Sequence, residues 1–175
     1  GSSNTAIGRN ALDANQTGTL NTAVGRDALG ANTASSNTAV GREAMRDNTT
    51  GTNNVSMGVS ALSTNTTASD NVAIGVGALR INTTGAQNTA VGRAALDKNV
   101  TTQFNTAVGW QALKETISNE NAAFGTSAME DNTSGARGTG IGPYALANNT
   151  TGAKNTALGY ASGLSITTGS TNTAI

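Results

Sequence analysis

Asn88-Thr89-Ala90-Val91-Gly92-Arg93-Ala94-Ala95-Leu96-Asp97-Lys98-Asn99 decides the fold, because nearly all of the remaining chain consists of variant copies of it. Its opening Asn returns as Asn4, Asn21, Asn37, Asn54, Asn71, Asn105, Asn121, Asn155 and Asn172, with Gly138 standing in once, in steps of 17 residues with two of 16. The unit reads Asn-Thr-Ala-Val-Gly-x-x-Ala-Leu-x-x-Asn-Thr-Thr-Gly-x-x, and ten copies precede an eleventh cut at Ile175. A short fixed period of this kind marks a stack of small units, none of which can bury its apolar side alone.

The composition agrees with a one-dimensional core. The 175 residues are 36% hydrophobic and only 3% aromatic, with 22 glycines, which is poor material for a compact three-dimensional interior. Ten basic residues balance ten acidic ones, so no general field attracts nucleic acid or a membrane surface. Disordered chains usually carry high net charge and no regular apolar positions, whereas apolar residues return here in fixed register. The absence of Cys and His removes disulfides, thiolate metal sites, the commonest zinc ligands and the usual general base. No run approaches the roughly 20 apolar residues of a membrane span, and the start does not resemble a signal peptide. Both ends fall inside a repeat, which points to a piece of a longer protein.

Each column of the repeat carries its own expectation. The fourth place is always large and apolar, as in Ile7, Val24, Met57, Val91, Phe124 and Leu158. With Thr two places earlier it alternates like a half-buried strand, predicting that the large side chain points inward and stacks on its equivalent about 4.8 Å away. The following Gly, including Gly25, Gly41 and Gly92, reads as a turn needing positive φ or close backbone approach. A phosphate cradle would need a longer helix after it, which the sequence lacks. Ala28-Leu29, Ala44-Met45 and Ala95-Leu96 predict a second inward layer on a tight turn or short second strand. The segment has helical propensity but is too short for a helix. In the tenth copy, Ala161-Ser162-Gly163-Leu164, the large residue slips one place along.

A second Asn column, including Asn32, Asn48 and Asn99, suits left-handed turn geometry and amide ladders. Calcium would require clustered carboxylates, and Asp or Glu occupies no column regularly. Asn48-Thr49-Thr50 and Asn149-Thr150-Thr151 match a glycosylation signal, but the repeat generates such triplets automatically. The closing Thr-Thr-Gly-x-x segment varies in sequence and absorbs the length changes, so it reads as a surface corner where partner contacts would be made. Arg9, Arg26, Arg42 and Arg93 follow the repeat Gly, and acidic residues such as Asp27, Glu43, Asp47 and Asp97 point to ion pairs. An anion-binding stripe is the lesser reading of that column.

These columns predict an all-β repeat solenoid, a parallel β-roll or β-helix of stacked coils of about 17 residues, forming one array over 1–175. Ten coils at strand spacing give a rod of about 50 Å. Small residues beside the inward positions, such as Ala23, Ala28, Ala90 and Ala95, would admit another chain's backbone. A homo-oligomer follows, with threefold symmetry the natural arrangement of parallel rods that each bury one face.

Asn-Thr-Ala-Val-Gly followed by Ala-Leu and Asn-Thr-Thr-Gly resembles repeats of bacteriophage tail-fibre and bacterial surface-fibre proteins. Asn37-Thr38-Ala39-Val40-Gly41 is also similar to the Ser-Val-Ala-Ile-Gly units of trimeric autotransporter adhesin heads, whose units are shorter. The resemblance spans essentially the whole chain. It implies a trimeric left-handed parallel β-roll, exposed extracellularly on a cell surface or virion fibre and binding matrix or host surfaces.

The expected function is a structural and adhesive fibre segment whose partners are itself and a cell-surface glycan or protein. The alternative is an ice-binding solenoid using Thr columns such as Thr22, Thr38, Thr89, Thr106 and Thr156, interrupted by Val55, Val72 and Ala122. No enzymatic activity and no cofactor are expected, since Asp13, Glu43, Asp70 and Glu120 are scattered rather than paired. Ligand contacts, if any, are expected at the rare aromatics Phe104, Trp110, Tyr144 and Tyr160. Packing against an adjacent coil or chain is the stronger reading of the same side chains.

Overall fold

A computed structural model describes residues 1–175. Eleven short strands, from β1 (Thr5–Ile7) to β11 (Thr173–Ala174), form one parallel sheet in strict sequence order. Each strand pairs with its equivalent in the next coil, as Thr22 with Thr38, Ala23 with Ala39 and Val24 with Val40. The protein is therefore a parallel β-solenoid of about ten coils, as the period predicts.

The coil is tied to its neighbours all the way round. Of 110 backbone hydrogen bonds, 20 lie within the strands, and most of the remaining 90 join a turn or corner to the adjacent coil. Gly41 N–H donates to Val24 O at 2.7 Å, Met45 N–H to Ala61 O at 2.9 Å and Thr49 N–H to Thr66 O at 2.9 Å. Most corner backbone groups thus pair with the adjacent coil instead of being left to water.

The sheet's inward face is opposite to the one expected. Ala23, Ala39, Ala73, Ala90 and Ala107, at the centre of each strand, are fully buried, whereas Met57, Phe124, Ile141 and Leu158 are more than 40% exposed. Period-2 alternation puts Thr and the large residue on one face and Ala on the other, and it does so in either phase. The interior has room only for the methyl, because Leu29, Met45, Leu62, Leu96 and their equivalents fill it from the opposite turn. Gly140 gives the measure of that space: a Cβ there would lie 2.8 Å from Met129 Cγ. Ala23, Ala28, Ala90 and Ala95 belong to this internal core and are not openings for a second chain.

The Ala-Leu segment is a tight turn, neither strand nor helix. Two of its residues are left-handed, as Asp27 (φ 58) and Leu29 (φ 50), or Glu43 (φ 58) and Met45 (φ 50). That conformation costs an ordinary side chain about 1–2 kcal/mol. Complete burial of the Leu or Met side chain, worth about 1.5–3 kcal/mol, offsets it. In the tenth coil Gly163 takes the left-handed place (φ 65), and Ile166, not the exposed Leu164, packs against the core.

The repeat Gly is set by contact between coils. Gly41 has φ 136, and a Cβ on it would meet the carbonyl oxygen of Gly58 at 2.6 Å. Gly30 lacks positive φ, and its added Cβ would meet nothing nearer than 3.5 Å. Gly41→Ala should therefore lower the thermal midpoint, followed by circular dichroism, by roughly 5 °C or more. Gly30→Ala should leave it unchanged or raise it slightly.

Candidate functional site

Two buried amide columns hold the corner that leads into the strand. Asn48 donates from Nδ2 to Asn32 Oδ1 at 2.6 Å, and Asn65 donates to Asn48 Oδ1 at 2.7 Å. In the other column Asn54 N–H donates to Asn37 Oδ1 at 3.0 Å and Asn71 N–H to Asn54 Oδ1 at 2.9 Å. Asn48 and Asn149 are fully buried with their amide nitrogens engaged, so in the folded chain neither is an accessible glycosylation acceptor. Where the first column substitutes Thr116, Ser118 replaces the missing amide by donating to Gly135 O and accepting from Asn121 Nδ2, both at 2.9 Å.

The outward strand face carries two side-chain columns, one mainly Thr and one wholly large and apolar. The apolar column runs unbroken from Ile7 through Val24, Val40, Met57, Ile74 and onward to Leu158, a length of about 43 Å at strand spacing. Ile7, Met57, Ile74, Phe124, Ile141 and Leu158 in it are exposed, and its four valines are half-buried.

The four expected aromatic contacts do not form one patch. Tyr144 and Tyr160 meet edge to face with ring centroids 6.0 Å apart. Trp110 stands in the same column as Tyr160 but three coils away, about 14 Å along the rod. Phe104 lies at the other end of β7 (Thr106–Val108) from Trp110. All four are exposed.

The Arg column pairs only in part. Arg26 bonds Glu43 at 3.0 Å and Asp27 at 3.2 Å, while Arg9 and Arg93 have no ion pair. Asp97 is instead gripped by Arg80 from the preceding coil, Nε to Oδ1 at 2.8 Å and Nη2 to Oδ2 at 3.2 Å. Burial pushes the Glu115 carboxyl up, but hydrogen bonds from Lys98 and Lys114 together bring it below its ordinary value.

One cavity indents the surface, a shallow groove of about 320 Å³ at the variable corner. It is lined by Ser118, Asn119, Glu120, Ala136, Arg137, Ala153 and Lys154. Arg137 Nε bonds Glu120 Oε2 at 2.8 Å, and that bond raises the Arg137 pKa above its ordinary value. Lys154 has no carboxylate within 4.0 Å. The variability of this corner points to partner contacts there, but neither cation stands out within its own repeat. The available signal was two successive basic residues in the place before the Asn, where other coils have Ser36, Asn53, Asp70 or Gln87.

No family model, curated protein or solved structure matches this chain.

The amide ladder is open to direct test. Asn65→Ala removes the donor to Asn48 Oδ1 and to Ala68 O, and the acceptor for Asn82 Nδ2. Urea unfolding should register a loss of about 1–3 kcal/mol. Asn148→Ala, at an exposed position beside the ladder, should change stability by less than about 0.5 kcal/mol.

Proposed function

We propose that the chain is a segment of a homotrimeric surface fibre, extracellular on a cell or virion, in which three parallel solenoids pack through their strand faces. The unbroken outward column of large apolar residues carries this reading. A monomer would leave Met57, Ile74, Phe124, Ile141 and Leu158 in water. Packing onto two other chains around a common axis covers all of them with one repeated contact. The resemblance to phage and bacterial fibre repeats and to trimeric adhesin heads supports the same arrangement. Repetition then supplies length, rigidity and many copies of each exposed corner, which suits weak multivalent attachment to a glycan or protein surface. The chain acts by display and not by catalysis.

Ice binding is the second reading, because Thr occupies eight of the eleven first places on the outward strand face. The neighbouring apolar column and the breaks at Val55, Val72 and Ala122 favour a protein contact instead.

Light scattering after size exclusion should give three times the 17.3 kDa mass of one chain. Ile74→Lys with Ile141→Lys, both at outward positions, should yield a monomer with unchanged far-ultraviolet circular dichroism. Trp110, the single tryptophan, borders this face and should become more accessible to acrylamide quenching in that variant. A stable wild-type monomer contradicts the fibre reading. Thermal hysteresis from that monomer would select ice binding.

A further inference from the structure

The corner groove brings unpaired backbone N–H groups together with two neighbouring cations. In the second place before the opening Asn, a side-chain oxygen from the next coil receives the backbone N–H at four corners, one of them Ala153 N–H to Ser170 Oγ at 3.0 Å. Thr19 N–H donates to Ser35 Oγ at 2.9 Å, Thr52 N–H to Ser69 Oγ at 3.0 Å and Gln103 N–H to Asn119 Oδ1 at 2.9 Å. The N–H groups of Asn119 and Ala136 have no such partner, because the next residues in the column, Ala136 and Ala153, offer only a methyl. By repeat equivalence these N–H groups point along the axis at Ala136 and Ala153, which wall the groove. The space where two hydroxyls would sit is open, and it is bordered by Arg137 and Lys154.

Two unpaired N–H donors beside two cations are the ordinary elements of an anion site. Ser69 shows that the free N–H alone is insufficient. It faces Ala86 in the same way, but its corner carries Asp70 and Gln87, and no cavity forms there. Beyond the cations the groove offers Glu120 as a hydroxyl acceptor and the Asn119 amide nitrogen, which makes no internal bond, as a donor. Phe104 precedes Glu120 by one coil in the column that continues to Arg137 and Lys154, and it is exposed and about 10 Å along the axis from Arg137. Aromatic faces and hydroxyl acceptors next to an anion site fit a sugar acid joined to a neighbouring sugar ring.

We propose that this groove binds an acidic polysaccharide, its carboxylate or sulfate held by Arg137, Lys154 and the N–H groups of Asn119 and Ala136, with an adjoining sugar ring on Phe104. The assignment rests on the adhesive part of the fibre reading and names the ligand class for it.

Calorimetric titration tests it with three probes: an oligogalacturonate, a sulfated dextran oligomer and the neutral dextran oligomer. Binding of either acidic probe, with none of the neutral one, is expected. Arg137→Gln with Lys154→Ala should weaken binding at least tenfold. Arg93→Gln, which removes a charge elsewhere, should leave it within about twofold. The sharper variant is Ala136→Ser, which installs the hydroxyl that Ser35, Ser69 and Ser170 supply elsewhere in the column opposite the Asn119 N–H, leaves the charge unchanged and should weaken binding at least threefold. Absence of binding to both acidic probes overturns the proposal. So does equal affinity in the Ala136→Ser or Arg137→Gln/Lys154→Ala protein, or an acidic peptide binding as well as the saccharide. The outcomes separate the two readings: a monomer that binds the acidic probes removes the trimer and keeps the groove, and a trimer that binds neither does the reverse.

Discussion

The structure depends on the close approach of each coil to the next, close enough that most backbone groups pair between coils on every side of the solenoid. Gly41 and its equivalents make this possible on one side of the coil, where the carbonyl of the following repeat Gly occupies the space of a side chain. The left-handed residues of the Ala-Leu turn make it possible on the other, since they orient N–H and C=O along the axis in a turn too tight for strand or helix. Once the axial ladder is fixed, the interior is narrow. Small strand residues and one Leu or Met per coil, replaced by Ile166 in the tenth, fill it, and a chain with few large apolar residues still has a continuous core.

The buried Asn columns belong to the same constraint. A coil that turns within so few residues leaves corner carbonyls that the ladder does not reach, and the Asn amides satisfy them while bonding to their own equivalents above and below. Asn54, for example, accepts from Asn71 through Oδ1 and donates to Ala68 O at 2.9 Å. The Thr116 and Ser118 pair preserves this network with different atoms. Satisfaction of the corner carbonyls therefore matters more than Asn itself.

Period, strand positions, the turn glycine and the amide ladders were legible because each is a repeated residue with one dominant physical role. The phase of the strand was not. Val24 and Ala23 alternate equally well either way; size alone favours Val inward, but Leu29 fills the interior from across the coil. That reversal also moves the proposed self-association from small residues enclosed in the core to a large apolar column exposed on the sheet. The left-handed backbone at Leu and Met was hidden because nothing in the residue type announces it. The corner groove depended on a relation 17 residues apart, between the Asn119 N–H and the absent oxygen at Ala136, together with two basic residues that look unremarkable one coil at a time. The scattered aromatics were conspicuous in composition, yet the solenoid spreads them along different lines, pairing Tyr144 with Tyr160 alone.

The central claim is that large side chains face out of the sheet and meet other copies of the chain. The chain has no Cys, so an introduced one is unique. Ile141→Cys places a thiol on the outward strand face in β9 (Thr139–Ile141), and Asn148→Cys places one on the exposed turn of the same coil. Mild oxidation followed by non-reducing electrophoresis should give a covalent dimer band for Ile141→Cys, the most that a trimer with one thiol per chain can form, and a monomer for Asn148→Cys. Monomer alone from Ile141→Cys, or equal cross-linking at both positions, would contradict the account.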